Sequence, residues 1–111
     1  MVKATVNLDN DTVMNVIKEL HEILKEYGIK DNHIALFGSF LNGNTHDDSD
    51  MDIIVISSLF ENKNLFERVD MTVKAQIDLK RKYIVPMDIL LKTPQEYTYS
   101  KKSFFDSKII I

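Results

Sequence analysis

Gly38-Ser39-Phe40-Leu41-Asn42-Gly43, then a polar stretch to Asp48, then Ser49-Asp50-Met51-Asp52-Ile53-Ile54-Val55-Ile56: this is the segment on which the reading of the chain turns. Residues 50–57 read as a strand. Alternate strand residues point to opposite faces, so Met51, Ile53 and Val55 share one face and Asp50, Asp52, Ile54 and Ile56 the other. Both faces are apolar beyond Asp52, which predicts a central strand covered on both sides. Asp50 and Asp52 then project together, with α-carbons roughly 6.6 Å apart along the strand. Such a pair repels itself unless one group takes a proton or a cation sits between them.

Upstream, His33-Ile34-Ala35-Leu36-Phe37 predicts a short buried strand that runs into Gly38-Ser39, with a helical turn continuing through Leu41 and a loop over 42–49. Gly38 permits close backbone approach, and the Ser39 hydroxyl and following amides can donate to phosphate oxygens. Gly43 lets the chain turn away. Before this strand, Asn10, Asp11 and Thr12 offer an N-cap to a helix whose apolar residues are Val13, Val16, Ile17, Leu20, Ile23, Leu24 and Tyr27, closed by Gly28. After the central strand, Asn62 or Asn64 can cap a second helix. It runs to about Lys82 with an apolar stripe of Phe66, Val69, Val73 and Ile77, helped by Leu65. A third strand follows over 84–91, with Pro86 near its start. Thr93-Pro94-Gln95-Glu96 is a capping box with proline at the first helical position, predicting a last helix over 94–105. The three isoleucines at 109–111 either add an edge strand or meet a partner. The fold expected is therefore α/β (α+β): one domain over 1–111, a small mixed β-sheet with packed helices.

Composition narrows the chemistry. The 111 residues contain no cysteine, so disulfides, thiolate metal sites and cysteine nucleophiles are excluded. The formal net charge of -3 gives no general attraction for nucleic acid. Lys80-Arg81-Lys82 and Lys101-Lys102 are more simply solvated helix charges than a nucleic-acid patch. His21, His33 and His46 form no ligand spacing. No apolar segment approaches membrane-spanning length, and residues 1–10 contain no apolar signal core, so no membrane association and a cytoplasmic location are expected. Asp88 stands alone in Met87-Asp88-Ile89-Leu90-Leu91. An unpaired carboxylate there must be neutralised, reach the sheet edge or meet a cation. If its strand lies beside the central one, Asp50, Asp52 and Asp88 form an oxygen-only cluster suited to Mg²⁺ or Mn²⁺ and to in-line displacement at phosphorus by two divalent ions.

Gly-Ser, a spacer, Asp-x-Asp and a later Asp on a strand together resemble the signature of the DNA polymerase β-like nucleotidyltransferase superfamily. In size the chain is similar to its minimal nucleotidyltransferases. The resemblance implies that Gly38 and Ser39 contact the β- and γ-phosphates and that Ser49 fills the small polar position before the acidic pair. It implies metal ligation and catalysis by Asp50, Asp52 and Asp88, and transfer of a nucleoside monophosphate (AMP from Mg-ATP) to a hydroxyl with release of pyrophosphate. Leu41 and Asn42 depart from the Ala-Arg of many members, which removes a phosphate-binding guanidinium. Minimal nucleotidyltransferases commonly occur with HEPN proteins, some as antitoxin and toxin. A chain of this size has little surface for an acceptor, which points to a second wall from a HEPN-type protein or another copy. Tyr97, Tyr99, Phe104, Phe105 and residues 109–111 are the candidate contact, the alternative being that Tyr97 and Phe104 pack the last helix on the core. The other functional reading is a catalytically weak antitoxin-like module that masks a partner protein.

Overall fold

The computed structural model describes residues 10–37, 51–103 and 107–111. The elements are α1 (Asn10–Glu26), β1 (His33–Phe37), β2 (Met51–Ile56), a single 3₁₀ turn (Ser58–Phe60), α2 (Leu65–Lys82), β3 (Met87–Lys92), α3 (Pro94–Ser103) and β4 (Ser107–Ile109). The sheet order is β3-β2-β1-β4. β1 is antiparallel to both β2 and β4, while β2 and β3 are parallel. The mixed α/β architecture expected from the sequence is the one observed.

α1 ends as its glycine predicts. Gly28 has φ +93°, and the Gly28 and Ile29 amides donate to the carbonyls of Lys25 and Leu24. These are the two reversed bonds of a Schellman end, and Leu24 and Ile29 bury the accompanying apolar contact. Val13, Val16, Ile17, Leu20 and Leu24 are buried as expected, but Tyr27 is exposed and donates from its hydroxyl to Asp78 Oδ2 at 2.5 Å, tying α1 to α2. That bond stabilises the protonated phenol and raises the Tyr27 pKa above 10.0.

One face of the sheet carries Ile34, Leu36, Met51, Ile53, Val55 and Leu91 and packs on α1 and α2. The other carries Ala35, Ile54 and Ile56 and is covered by Tyr97 of α3, with Phe37 and Leu90 at its margin. β2 is internal, buried on both faces beyond Asp52, as its sequence predicts.

Two expectations are corrected and two open alternatives are resolved. The apolar stripe assigned to the second helix is not its buried face: Phe66 is 84 % exposed, and Leu65, Val69, Val73 and Ile77 also face solvent. Thr72, Ala75 and Leu79 on the opposite side are buried instead. Thr72 is tolerated there because its hydroxyl donates to the Arg68 carbonyl one turn back. The third strand starts at Met87 rather than 84, because Pro86 has no N–H to give, though its carbonyl accepts from the Met51 amide. The terminal isoleucines resolve in favour of the sheet: β4 pairs with β1, and Ile110 and Ile111 pack on the core. Asn64, rather than Asn62, caps α2, with Glu67 completing a reciprocal capping box. Among the described residues no helix is long and apolar enough to cross a membrane.

Candidate active site

The parallel pairing of β2 and β3 aligns Asp52 directly with Asp88. Partners in register share a face and lie about 4.8 Å apart. Two carboxylates from strands that are distant in sequence are thus brought side by side. The register continues across the sheet: Asp52 is opposite Phe37 on β1, and Phe37 is opposite Ser107 on β4. One transverse row therefore reads Ser107, Phe37, Asp52, Asp88 on the face that α3 covers. Phe37 is followed in the chain by Gly38-Ser39, and Asp52 is preceded by Asp50. The two sequence motifs thus enter the fold at the same end of neighbouring strands.

The environments of the two acids differ. β3 is an edge strand and Asp88 is exposed, whereas Asp52 on internal β2 is half-buried. Asp88 has therefore reached the sheet edge as well as the neighbouring acid. Beyond this row the face turns apolar through Ala35, Ile54 and Leu90. Asp50, Gly38, Ser39 and Ser49, the other expected site residues, lie outside the described residues, as do the helical turn to Leu41, the 42–49 loop with His46, and Phe104 and Phe105. Among the described residues no three His, Cys, Asp or Glu groups converge as a metal site. The expected cluster draws its third carboxylate from Asp50.

The oxygen-only pair of Asp52 and Asp88, with neither sulfur nor imidazole in its row, suits a hard divalent cation. The Tyr97 hydroxyl and Ser107 Oγ lie 2.8 Å apart in a buried hydrogen bond that ties α3 to β4. At the start of α3, next to Tyr97, the predicted capping box is present, with Glu96 accepting from the Thr93 amide and Thr93 Oγ1 from the Glu96 amide.

Arg68 is a structural clamp that the sequence reading missed. Its guanidinium contacts both Glu96 carboxylate oxygens at 2.6 and 3.2 Å and donates to the carbonyls of Leu91 and Lys63. It also lies 5.9 Å from the centre of the buried Phe60 ring. One side chain thereby clamps α2, the end of β3 and the first turn of α3. The hydrogen bond from Arg68 holds the Glu96 pKa below its usual 4.5. A cleft of about 670 Å³ opens beside this clamp, lined by Arg68, Leu91, Lys92, Gln95, Glu96, Tyr99 and Ser100. It lies at the far end of β3 from Asp88, so it is separate from the carboxylate row.

Comparison with known proteins agrees with this fold. The nucleotidyltransferase-domain family profile matches residues 17–111, from α1 to the last strand. The chain belongs to that family of nucleotide-transferring domains. Two solved structures of candidate nucleotidyltransferases share the fold. One, from Sulfolobus solfataricus, is 20 % identical, with a TM-score of 0.57 over 94 % of this chain and 89 % of its own. The other is 24 % identical, with a TM-score of 0.58 over 86 % of this chain and 97 % of its own. A substituted form of the toxin–antitoxin MntA-HpeT is also similar, at 17 % identity and a TM-score of 0.51, over 82 % of this chain and 70 % of that one. No curated protein matches the chain significantly.

Proposed function

We propose that the chain is a single catalytic domain over 1–111 that transfers a nucleoside monophosphate, AMP from Mg-ATP, to a hydroxyl acceptor. The register that pairs Asp52 with Asp88 is the observation that carries this reading. Asp50, two residues before Asp52, completes the acidic set, and Gly38, Ser39 and Ser49 hold the triphosphate. Oxygen donors of this kind would hold Mg²⁺ or Mn²⁺, two ions in the full arrangement. Bound there, the ions supply neutralisation of phosphate charge and a lowered pKa for the acceptor hydroxyl.

The residues divide the remaining work. Amides and hydroxyl at Gly38-Ser39 bind and orient the β- and γ-phosphates, so that pyrophosphate leaves in line. The acceptor oxygen forms its bond to the α-phosphorus as the bond from that phosphorus to the bridging oxygen breaks. The electron pair departs with pyrophosphate. Asp88, exposed on the edge strand, faces the side from which an acceptor arrives, and its carboxylate takes the hydroxyl proton. The apolar margin of Phe37 and Leu90 limits water around the row.

The edge position of Asp88 leaves the acceptor wall to a second chain. The likeness to a toxin–antitoxin nucleotidyltransferase supports a protein partner, which we take to be of HEPN type, in the cytoplasm. The test is transfer of label from α-³²P-ATP to the co-expressed partner with and without Mg²⁺. Asp52→Asn and Asp88→Asn should each lower the rate by at least about 100-fold. Undiminished transfer by either variant would remove the proposed role of the pair. A complex that forms and neutralises the partner without any label transfer would favour the masking module instead.

A further inference from the structure

The face of α2 that points away from the core is apolar and charge-patterned. Successive helix residues step by about 100°. Phe66, Val73 and Lys80 therefore form one ridge, flanked by Val69 and Ile77, opposite the buried Ala75 and Leu79. Phe66, Val69, Val73 and Ile77 are 84, 42, 36 and 44 % exposed. A continuous apolar stripe on a surface helix marks a contact surface.

The pattern is symmetric about Val73. An antiparallel copy of α2 centred there puts Val69 opposite Ile77 of the copy, Val73 opposite Val73, and Phe66 opposite Lys80. The same flank of each helix carries Asp70 and Lys74. On the two-fold they fall within about 3 Å of each other along the helix axis, from the 1.5 Å rise per residue. Each pair can then close twice, and each Lys80 ammonium can lie on a Phe66 ring. In a parallel two-fold pair the flank carrying Asp70 and Lys74 would fall on opposite sides of the two helices, and these pairs would not form. We infer that α2 is the two-fold interface of a homodimer of this chain, built on Val73 at the axis with Asp70–Lys74 pairs at the rim. An isologous contact of this kind closes at two subunits. The α2 face lies across the sheet from the Asp52–Asp88 row, so both rows stay open in the dimer. The inference is independent of the catalytic reading.

The chain has no cysteine, so Val73→Cys introduces a unique thiol at the axis. Helices packed 8–10 Å apart bring two such β-carbons into disulfide range. Mild oxidation should give covalent dimer at least about tenfold faster for Val73→Cys than for Lys18→Cys, an exposed position on α1. Sedimentation over a roughly hundredfold concentration range should show a monomer–dimer equilibrium. Val73→Lys should weaken it by about 100-fold or more, and Asp70→Lys by about tenfold. The Asp70→Lys/Lys74→Asp pair should recover most of that loss. All these positions are exposed, and circular dichroism confirms the fold of each variant. A chain monomeric throughout, or a dimer indifferent to Val73→Lys, overturns the inference. So does an Asp70→Lys loss that the double reversal leaves uncorrected.

Discussion

Replacing Arg68 with alanine should destabilise the domain by about 2–3 kcal/mol, more than a surface arginine normally would. The ion pair with Glu96 is partly screened, because the Glu96 side chain is 45 % exposed, and contributes at most about 1 kcal/mol. The carbonyls of Leu91 and Lys63 each lose a charged donor, at about 0.75 kcal/mol each after partial hydration. The contact with the Phe60 ring adds about 0.5 kcal/mol. With an unfolding entropy near 2.1 cal/mol/K per residue, the loss lowers the Tm by about 10 °C. Calorimetry and urea unfolding measure both quantities. Arg68→Lys should recover less than half, since an ammonium cannot span the Glu96 carboxylate and two carbonyls together. The acid limb supplies a second readout. Glu96 has a depressed pKa in the folded chain, so its contribution is complete above the unfolded value near 4.5 and disappears as pH falls through the folded value. Arg68→Ala should therefore lose stability less steeply than wild type below about pH 4.5. A loss under about 1 kcal/mol, or an unchanged acid limb, would refute the clamp.

Three smaller perturbations test the frame around the site. Gly28→Ala should cost about 1–2 kcal/mol purely through its positive φ, since a β-carbon there would meet nothing within 4 Å; Gly28→Asn should cost less, as urea unfolding can show. Asn64→Ala removes the side-chain half of the α2 capping box, the Asn64 Oδ1 that accepts from the Glu67 amide, while the residue 64 amide can still donate to Glu67; it should lower stability by about 1 kcal/mol in the same assay. Tyr97→Phe strands the buried Ser107 hydroxyl, at about 1–2 kcal/mol. Its effect should appear as faster hydrogen exchange at the Ile34 and Ile110 amides, which join β1 to the terminal segment.

The parts legible in the sequence were those set by local chemistry. Gly28 and the Thr93–Glu96 pair each announce a helix boundary because neighbouring residues satisfy the orphan amides or carbonyls, whereas the start of α2 stayed open between Asn62 and Asn64 until the Glu67 bonds placed it. The unbroken apolar run from Ile53 to Ile56, filling both strand faces, announced an internal strand. The buried face of α2 was hidden because hydrophobicity does not decide which side turns inward: small Ala75 and self-satisfied Thr72 pack on the core, while the more apolar Phe66 side faces out. Arg68 was hidden because Glu96 is distant in sequence and meets it only through the chain's path. Asp88 could be singled out as an anomalous acid, but its alignment with Asp52 depended on strand order, which no local signal encodes. The roles of Gly38, Ser39, Ser49 and Asp50 rest on the sequence motif and the family.

The central claim is that the carboxylates at Asp52 and Asp88 converge to hold a divalent cation. It is tested most directly by titrating ¹⁵N-labelled protein with Mn²⁺ and mapping the paramagnetic loss of amide signals. The account predicts that broadening begins at residues 51–53 and 87–89, deepens with nucleoside triphosphate, and vanishes in Asp52→Asn/Asp88→Asn. Broadening centred elsewhere, such as on Glu19 and Glu22 of α1, or unchanged in the double variant, would contradict it.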